Sequence, residues 1–378
     1  MVYLNQAATT WPKPRRVLEA HAAALSAPPR GQFRSSARGG ADEMGQCRQK
    51  LGALLGIGDC ERIFFCSGAT DALNALVRGL PLDGGRVLAT RTEHNSVLRP
   101  LMNHRDRVGA VDIVPCDGAG RVDPEAAEAM LAGGAAALFV NHCSNVTGAI
   151  QDVPALADAA HRHGALLVLD VAQSAGCVPV AAEAWGVDAL AFTGHKGLFG
   201  PQGTGGYYVR EGVALTPPRY GGTGHDSRRL TYGPGEYEYE PGTQNMPGIA
   251  ALLAGVEYVL ERGVENIRAK ERALIRRLRD GLSAMDGVTL YGGDPDESGP
   301  VMSFNFDGLT PADAAYILDG YGIRVRAGLQ CAPLIHGAIG APEAGTVRAS
   351  VSDMNAPEDI DTLLEAAREI CAGLGGRA

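Results

Sequence analysis

Along the chain, short apolar or β-branched runs alternate with stretches in which apolar residues return every three to four positions. The runs fall at 62–66, 86–90, 110–115, 136–141, 165–170, 189–193 and 206–210. Their length and continuity fit strands covered on both faces. Between them, 71–79, 123–132 and 153–163 carry helical periodicity. This rhythm predicts an α/β domain on a mostly parallel seven-stranded sheet. Ligands of such sheets gather at the carboxyl ends of the strands, so the residues just after each run are the first candidates for a site.

Beyond 210 the pattern changes. Residues 221–242 mix glycine, tyrosine, proline and charge without a period, as a long functional loop does. Helices are predicted over 248–260 and 264–285, strands over 301–306 and 322–326, and a last helix over 357–374. The C-terminal third therefore reads as a smaller α+β domain. The expected division is 15–262 against 263–378, with 1–14 joining the second part.

Composition narrows the ligand. The 378 residues suffice for two domains, and 45% apolar with 20% charged residues is ordinary for a folded chain. A net charge of -9 and the lack of any run of five basic residues argue against nucleic acid and anionic membranes as partners. Small molecules are the better expectation. Residues 1–5 lead into polar and turn residues without the apolar core of a secretion signal, which predicts a cytoplasmic location. The most apolar helix contains Glu257 and is too short to span a bilayer. Eight cysteines with no C-x-x-C pair fit neither a disulfide framework nor a zinc site, and most are expected to be small buried hydrophobes.

Four segments carry candidate chemistry. Lys196, in Thr193-Gly194-His195-Lys196-Gly197, follows a strand and is boxed by glycines. A crowded, desolvated site would make it a Schiff-base nucleophile; the alternative is a solvated loop lysine. Asp170, 26 residues earlier, sets a carboxylate at a strand end. It would suit the ring nitrogen of a pyridine cofactor, or else simply cap the next turn. Ser67-Gly68-Ala69-Thr70-Asp71 joins a strand to a helix and offers free N–H groups to a phosphate, or is only a good N-cap. It matches neither nucleotide-binding glycine pattern. His94, in Thr92-Glu93-His94-Asn95-Ser96, could lie on a cofactor ring and exchange protons, although a lone loop histidine is usually structural.

In this order, the four motifs resemble the class V aminotransferase branch of the fold-type I pyridoxal 5′-phosphate (PLP) enzymes, and in particular the cysteine desulfurases. The likeness runs from Tyr3-Leu4-Asn5-Gln6-Ala7-Ala8-Thr9-Thr10 to Arg348. It implies Lys196 as the lysine that binds the cofactor aldehyde, Asp170 beside the pyridine nitrogen and Gln173 on the phenolic oxygen. His94 would stack on the ring, and Ala69, Thr70, Thr193 and His195 would hold the phosphate. Asn145, Arg348 and Arg326 would hold the substrate, with Arg348 gripping its carboxylate as a bidentate fork. Thr243 corresponds to a threonine that reaches the neighbouring subunit's phosphate, which implies a homodimer. Cys331, in Arg326-Ala327-Gly328-Leu329-Gln330-Cys331-Ala332-Pro333, corresponds to the sulfur-accepting cysteine, and its spacing of 17 residues to Arg348 resembles the compact, type II loop. The implied reaction turns L-cysteine into L-alanine and leaves a persulfide on Cys331 for an unidentified acceptor protein. Selenocysteine lyase, with L-selenocysteine as substrate, and another aminotransferase or lyase are the alternatives on the same scaffold. Two departures stand out: Gln330 where many type II members carry histidine, and Asn5-Gln6 where the family has aspartate-asparagine.

Overall fold

The computed structural model describes residues 1–28, 43–222, 228–231 and 239–375. A two-residue strand, β1 (Val2–Tyr3), is followed by helices α1 (Arg15–Ser26) and α2 (Glu43–Leu55). The predicted alternation comes next: β2 (Ile63–Cys66), α3 (Ala69–Gly79), β3 (Arg86–Thr90), α4 (Asn95–Asn103), β4 (Ala110–Val114), α5 (Pro124–Leu131), β5 (Ala137–Asn141), α6 (Val153–Arg162), β6 (Leu166–Asp170), β7 (Ala189–Thr193) and β8 (Gly205–Val209). Strands β2 to β8 form one sheet in the order β2-β8-β7-β6-β5-β3-β4. The strands from β4 to β7 pair in parallel, and only β8 opposes its neighbours β7 and β2.

The apolar runs explain the sheet's position. Every residue of β5 and β7 is buried. Their side chains alternate between two cores: Leu138, Val140, Leu190 and Phe192 enter one, and Ala137, Phe139, Ala189 and Ala191 enter the other. A period of two sends successive side chains to opposite faces, so an uninterrupted apolar run needs cover on both. Helix starts follow local chemistry. Asp123 accepts the Glu125 N–H at 3.0 Å to open α5, and Asp152 accepts the Ala155 N–H at 3.1 Å to open α6.

Downstream lie α7 (Met246–Arg262), α8 (Val264–Ser283), β9 (Val288–Tyr291), β10 (Val301–Phe306), α9 (Pro311–Gly320), β11 (Ile323–Arg324), β12 (Arg326–Gly328), α10 (Pro333–Ala338), β13 (Thr346–Ser350) and α11 (Pro357–Gly375). A second sheet, β12-β13-β10-β9, is wholly antiparallel. Its core gathers Leu4 from the start of the chain with Leu274 and Leu278 of α8, Phe304 of β10 and Leu363 of α11.

Several expectations need correction. The strand predicted over 322–326 is two pieces: β11 pairs in parallel with β1, and β12 joins β13 in the second sheet. The partner of β11 comes from the other end of the chain, where a local pattern cannot point. Helices α1, α2, α4, α9 and α10 and strands β1, β9 and β13 were not anticipated. The predicted loop 221–242 falls largely outside the described residues. Of the cysteines, only Cys47, Cys143 and Cys177 are buried; Cys60, Cys66, Cys116 and Cys371 are half-buried and Cys331 is exposed.

Candidate functional site

Sheet register brings the strand ends together. Asn141 pairs with Asp170, while Cys66 and Thr193 both pair with Gly205. A cavity of about 440 Å³ opens beside this edge. Ala69, Thr70, His94, Asn145, Asp170, Gln173, Thr193, His195 and Lys196 line it from the strand ends, the loops after them and the start of α3. Arg326, Cys331 and Arg348 line it from the second sheet and the loop after β12. Of the predicted site residues, only Thr243 lies elsewhere: it is exposed and borders an adjoining cavity of about 170 Å³ with Cys66, Gly203 and Arg219.

The α3 N-terminus meets this cavity without a side-chain cap. Asp71, a candidate first-turn acid, is tied back to the Ser67 N–H and hydroxyl at 3.2 Å each. Gly68 precedes the helix at φ 146°, a conformation that excludes most side chains. A Cβ on Gly205 would lie 2.5 Å from the Gly68 Cα, so glycine at 205 lets β8 and the helix start approach each other. The result is a concave, N–H-rich surface suited to a phosphate.

Above it, the Ser96 hydroxyl lies 2.8 Å from Thr70 Oγ1 and 2.9 Å from His94 Nδ1, and the Ser96 N–H donates to the same Nδ1 at 3.0 Å. With Nδ1 accepting, the neutral ring carries its proton on Nε2. Burial, reinforced by the positive charge of Lys196, lowers the imidazole pKa to about 4. His94 is therefore a neutral ring and a weak base at physiological pH.

Lys196 is pulled down to about 8 by desolvation, which outweighs the opposing attraction of Asp170. Asp170 is buried, accepts the Ala172 N–H at 2.8 Å, and is pushed up by burial while Lys196 opposes the shift. A second carboxyl, Glu93, is fully buried nearby and accepts from the Thr90 hydroxyl at 2.6 Å. Burial raises it to about 8, so it stays protonated at neutral pH. The loop carrying Lys196 is pinned from behind. The His195 carbonyl accepts from the Thr10 N–H at 3.0 Å and from Lys13 Nζ at 2.9 Å.

Gln330 and Cys331 occupy the left-handed region, at φ 42° and 60°. For residues with a Cβ this costs roughly 1–2 kcal/mol each. Hydrogen bonds hold both carbonyls: Asn145 Nδ2 donates to Gln330 O and the Asn95 N–H donates to Cys331 O, each at 2.7 Å. The buried Gln330 side chain donates to Thr346 O at 2.7 Å, and its Oε1 lies 3.2 Å from His336 Nε2. The Gln330 amide is thus an anchor for the cysteine loop. Gln6 likewise braces the N-terminal segment, donating to Trp11 O at 2.7 Å, whereas Asn5 Oδ1 meets the Arg348 guanidinium at 3.2 Å.

Asn141 Oδ1, Asn145 Oδ1, His195 Nδ1 and Arg348 Nε are buried without a partner among the described residues, and all four residues line the cavity. Each such group costs about 1–3 kcal/mol unless something fills its bonding capacity, so the cavity is built for a polar occupant. Sequence reasoning did not single out Asn141, Ser96, Gln202 or Gly203, which also line it. Two signals were present: Asn141 ends a predicted strand, and 202–203 fall within the glycine-rich run after Lys196.

Residues 2–363 match the family model described as "Aminotransferase class-V". A probable cysteine desulfurase of Halobacterium salinarum is 32% identical, over 98% of this chain and 91% of its own length. One from Methanothermobacter thermautotrophicus is 35% identical, over 87% of this chain and 84% of its own. Among solved structures, the apo cysteine desulfurase of Thermococcus onnurineus NA1 superposes with a TM-score of 0.89 at 32% identity, covering 98% of this chain and 95% of that one.

Proposed function

Since the chain belongs to the class V aminotransferase family, among the cysteine desulfurases, we propose that it binds PLP in the 440 Å³ cavity and converts L-cysteine to L-alanine, taking the sulfur onto Cys331. The observation that carries this reading is the convergence of Lys196, Asp170, Arg348 and Cys331, from distant parts of the sequence, on one cavity.

The donor set fits the cofactor. The uncapped start of α3 with Ala69 and Thr70, together with Thr193 and His195, would hold its phosphate; Asp170 would face the ring nitrogen; Gln173 would reach the phenolic oxygen; Lys196 would hold the aldehyde carbon. When bound, PLP supplies an electron-accepting ring that stabilises negative charge at the substrate's α-carbon.

The remaining work falls to the protein's own groups. Arg348 and Asn145 bind the substrate carboxylate and fix its orientation. Lys196, poised near pH 8, is the group suited to moving the α-proton; His94, with Nδ1 occupied and a pKa of about 4, serves as a flat neutral wall. Cys331 Sγ forms an S–S bond to the substrate sulfur as the substrate's Cβ–S bond breaks. That bond's electron pair stays with Cβ, which takes up one proton, and return of the α-proton from Lys196 completes L-alanine. Lys196 and Arg348 lie within electrostatic reach of the attacking Cys331 sulfur. The exposure of Cys331 suits transfer of the sulfur to an acceptor protein.

Thr243, set apart from its own chain's cavity, supports a homodimer in which it serves the neighbouring site. Among the described residues no helix is long and apolar enough to cross a membrane. The decisive experiment incubates the protein with L-cysteine and a reductant and measures alanine and sulfide. Cys331→Ala should lose both products while keeping the visible absorbance of bound PLP. Alanine formed at the wild-type rate by that variant would refute the role of Cys331.

A further inference from the structure

Arg348 is 3% exposed, at the centre of β13, and among the described residues no carboxylate lies within ion-pair distance of it. Its Nη1 donates to the Asn145 backbone oxygen at 2.9 Å, its Nη2 to Asn5 Oδ1 at 3.2 Å, and its Nε has no partner. Arg48, also largely buried, is by contrast neutralised by Glu240. Burial without a counter-ion pulls Arg348 down to about 10, with Arg326 adding repulsion. Asn5 is held against the second sheet by a parallel backbone bridge to Ser350, two residues from Arg348. Its amide oxygen stands where one oxygen of an aspartate would stand, with the same shape and no charge. This is also a position at which the chain departs from the aspartate of the family's opening segment.

We propose that Asn5 sets the charge of the carboxylate subsite: by meeting Arg348 with a neutral oxygen, it leaves the whole guanidinium charge to the substrate's carboxylate. Asn5 is then a specificity-determining and positioning residue that acts through Arg348. The inference rests on the reading that Arg348 grips the substrate carboxylate. An aspartate here would form an internal ion pair, and a bound carboxylate would share the arginine with a second anion at short range. Close like charges in a partly desolvated site weaken binding by about tenfold or more.

The test titrates propionate, a carboxylate with no amino group to react with the cofactor, into the PLP-loaded protein by calorimetry. Wild type, Asn5→Asp, Asn5→Ala and Arg348→Met are compared, and cofactor absorbance verifies that each variant is folded. Asn5→Asp is expected to weaken propionate binding about tenfold or more and to raise KM for L-cysteine far more than it lowers kcat. Asn5→Ala, which removes a hydrogen bond and adds no charge, should lose clearly less. Propionate binding to Asn5→Asp at wild-type strength, or equal losses in the two Asn5 variants, would overturn the proposal. Arg348→Met separates the two levels of the argument. If it binds propionate as wild type does, the carboxylate reading of Arg348 itself fails; if it loses binding while Asn5→Asp does not, only the inference about Asn5 fails.

Discussion

Replacing the reactive amine should make the cofactor-free protein more stable, by an amount its surroundings fix. In the unfolded chain Lys196 keeps its proton up to its ordinary pKa of 10.5, but in the folded chain only to about 8. Between these values the unfolded state binds more protons, so the free energy of unfolding climbs with pH across that window. Below about pH 8 both states are protonated, and the folded chain carries the full cost of a buried ammonium. The fall from 10.5 to about 8 corresponds to a cost of roughly 3 kcal/mol. Lys196 keeps some contact with the open cavity, where water screens its charge, and this makes the figure an upper bound. Lys196→Met removes the cost. It also leaves Asp170 without its cation, which raises that carboxyl further and trims the gain. Urea unfolding of cofactor-free wild type and Lys196→Met, followed at pH 7 and again near pH 10, measures the effect. The variant should be the more stable at pH 7 by about 2–3 kcal/mol, with the gap largely closed near pH 10. A variant no more stable than wild type at pH 7, or a gap independent of pH, would refute the claim that desolvation poises this lysine.

Two further expectations concern the scaffold. Gln330→Met preserves volume but leaves Thr346 O without its donor, so it should destabilise the protein by about 1–3 kcal/mol and slow alanine formation, since the anchor of the left-handed Cys331 loop is lost; equal urea midpoints and equal rates for variant and wild type would contradict this. Gly205→Ala places a methyl 2.5 Å from the Gly68 Cα and 2.7 Å from the Phe192 carbonyl oxygen, and should weaken PLP binding measured by equilibrium dialysis because the α3 N-terminus is pushed away.

Much of this molecule was legible in one dimension. Short continuous apolar runs such as 137–141 and 189–193 fit strands covered on both faces, and their alternation with helical stretches leaves a largely parallel sheet as the economical solution. The carboxyl-end rule then placed Asp170 and Lys196 together before any coordinates, because both follow such runs directly. The two-piece strand over 322–328 was not legible, since β11 is defined by a partner at residues 2–3. Helix α4 was hidden by its shortness and by the proline inside it, although Val97, Leu98 and Leu101 do recur at helical spacing.

The sequence by itself determined which residue types stand at the strand ends, and hence the class of chemistry: an amine, a carboxylate, an imidazole, a guanidinium and a thiol with the spacing of one family. Only the tertiary structure decided how those groups behave. Lys196 falls to about 8 and His94 to about 4 because distant segments strip away their water. Gln330 serves as an anchor because Thr346 offers its carbonyl, and Arg348 meets no carboxylate among the described residues because the side chain that reaches it, Asn5, is neutral. Desolvation and pairing are properties of what surrounds a group in space, and chain order does not encode them locally.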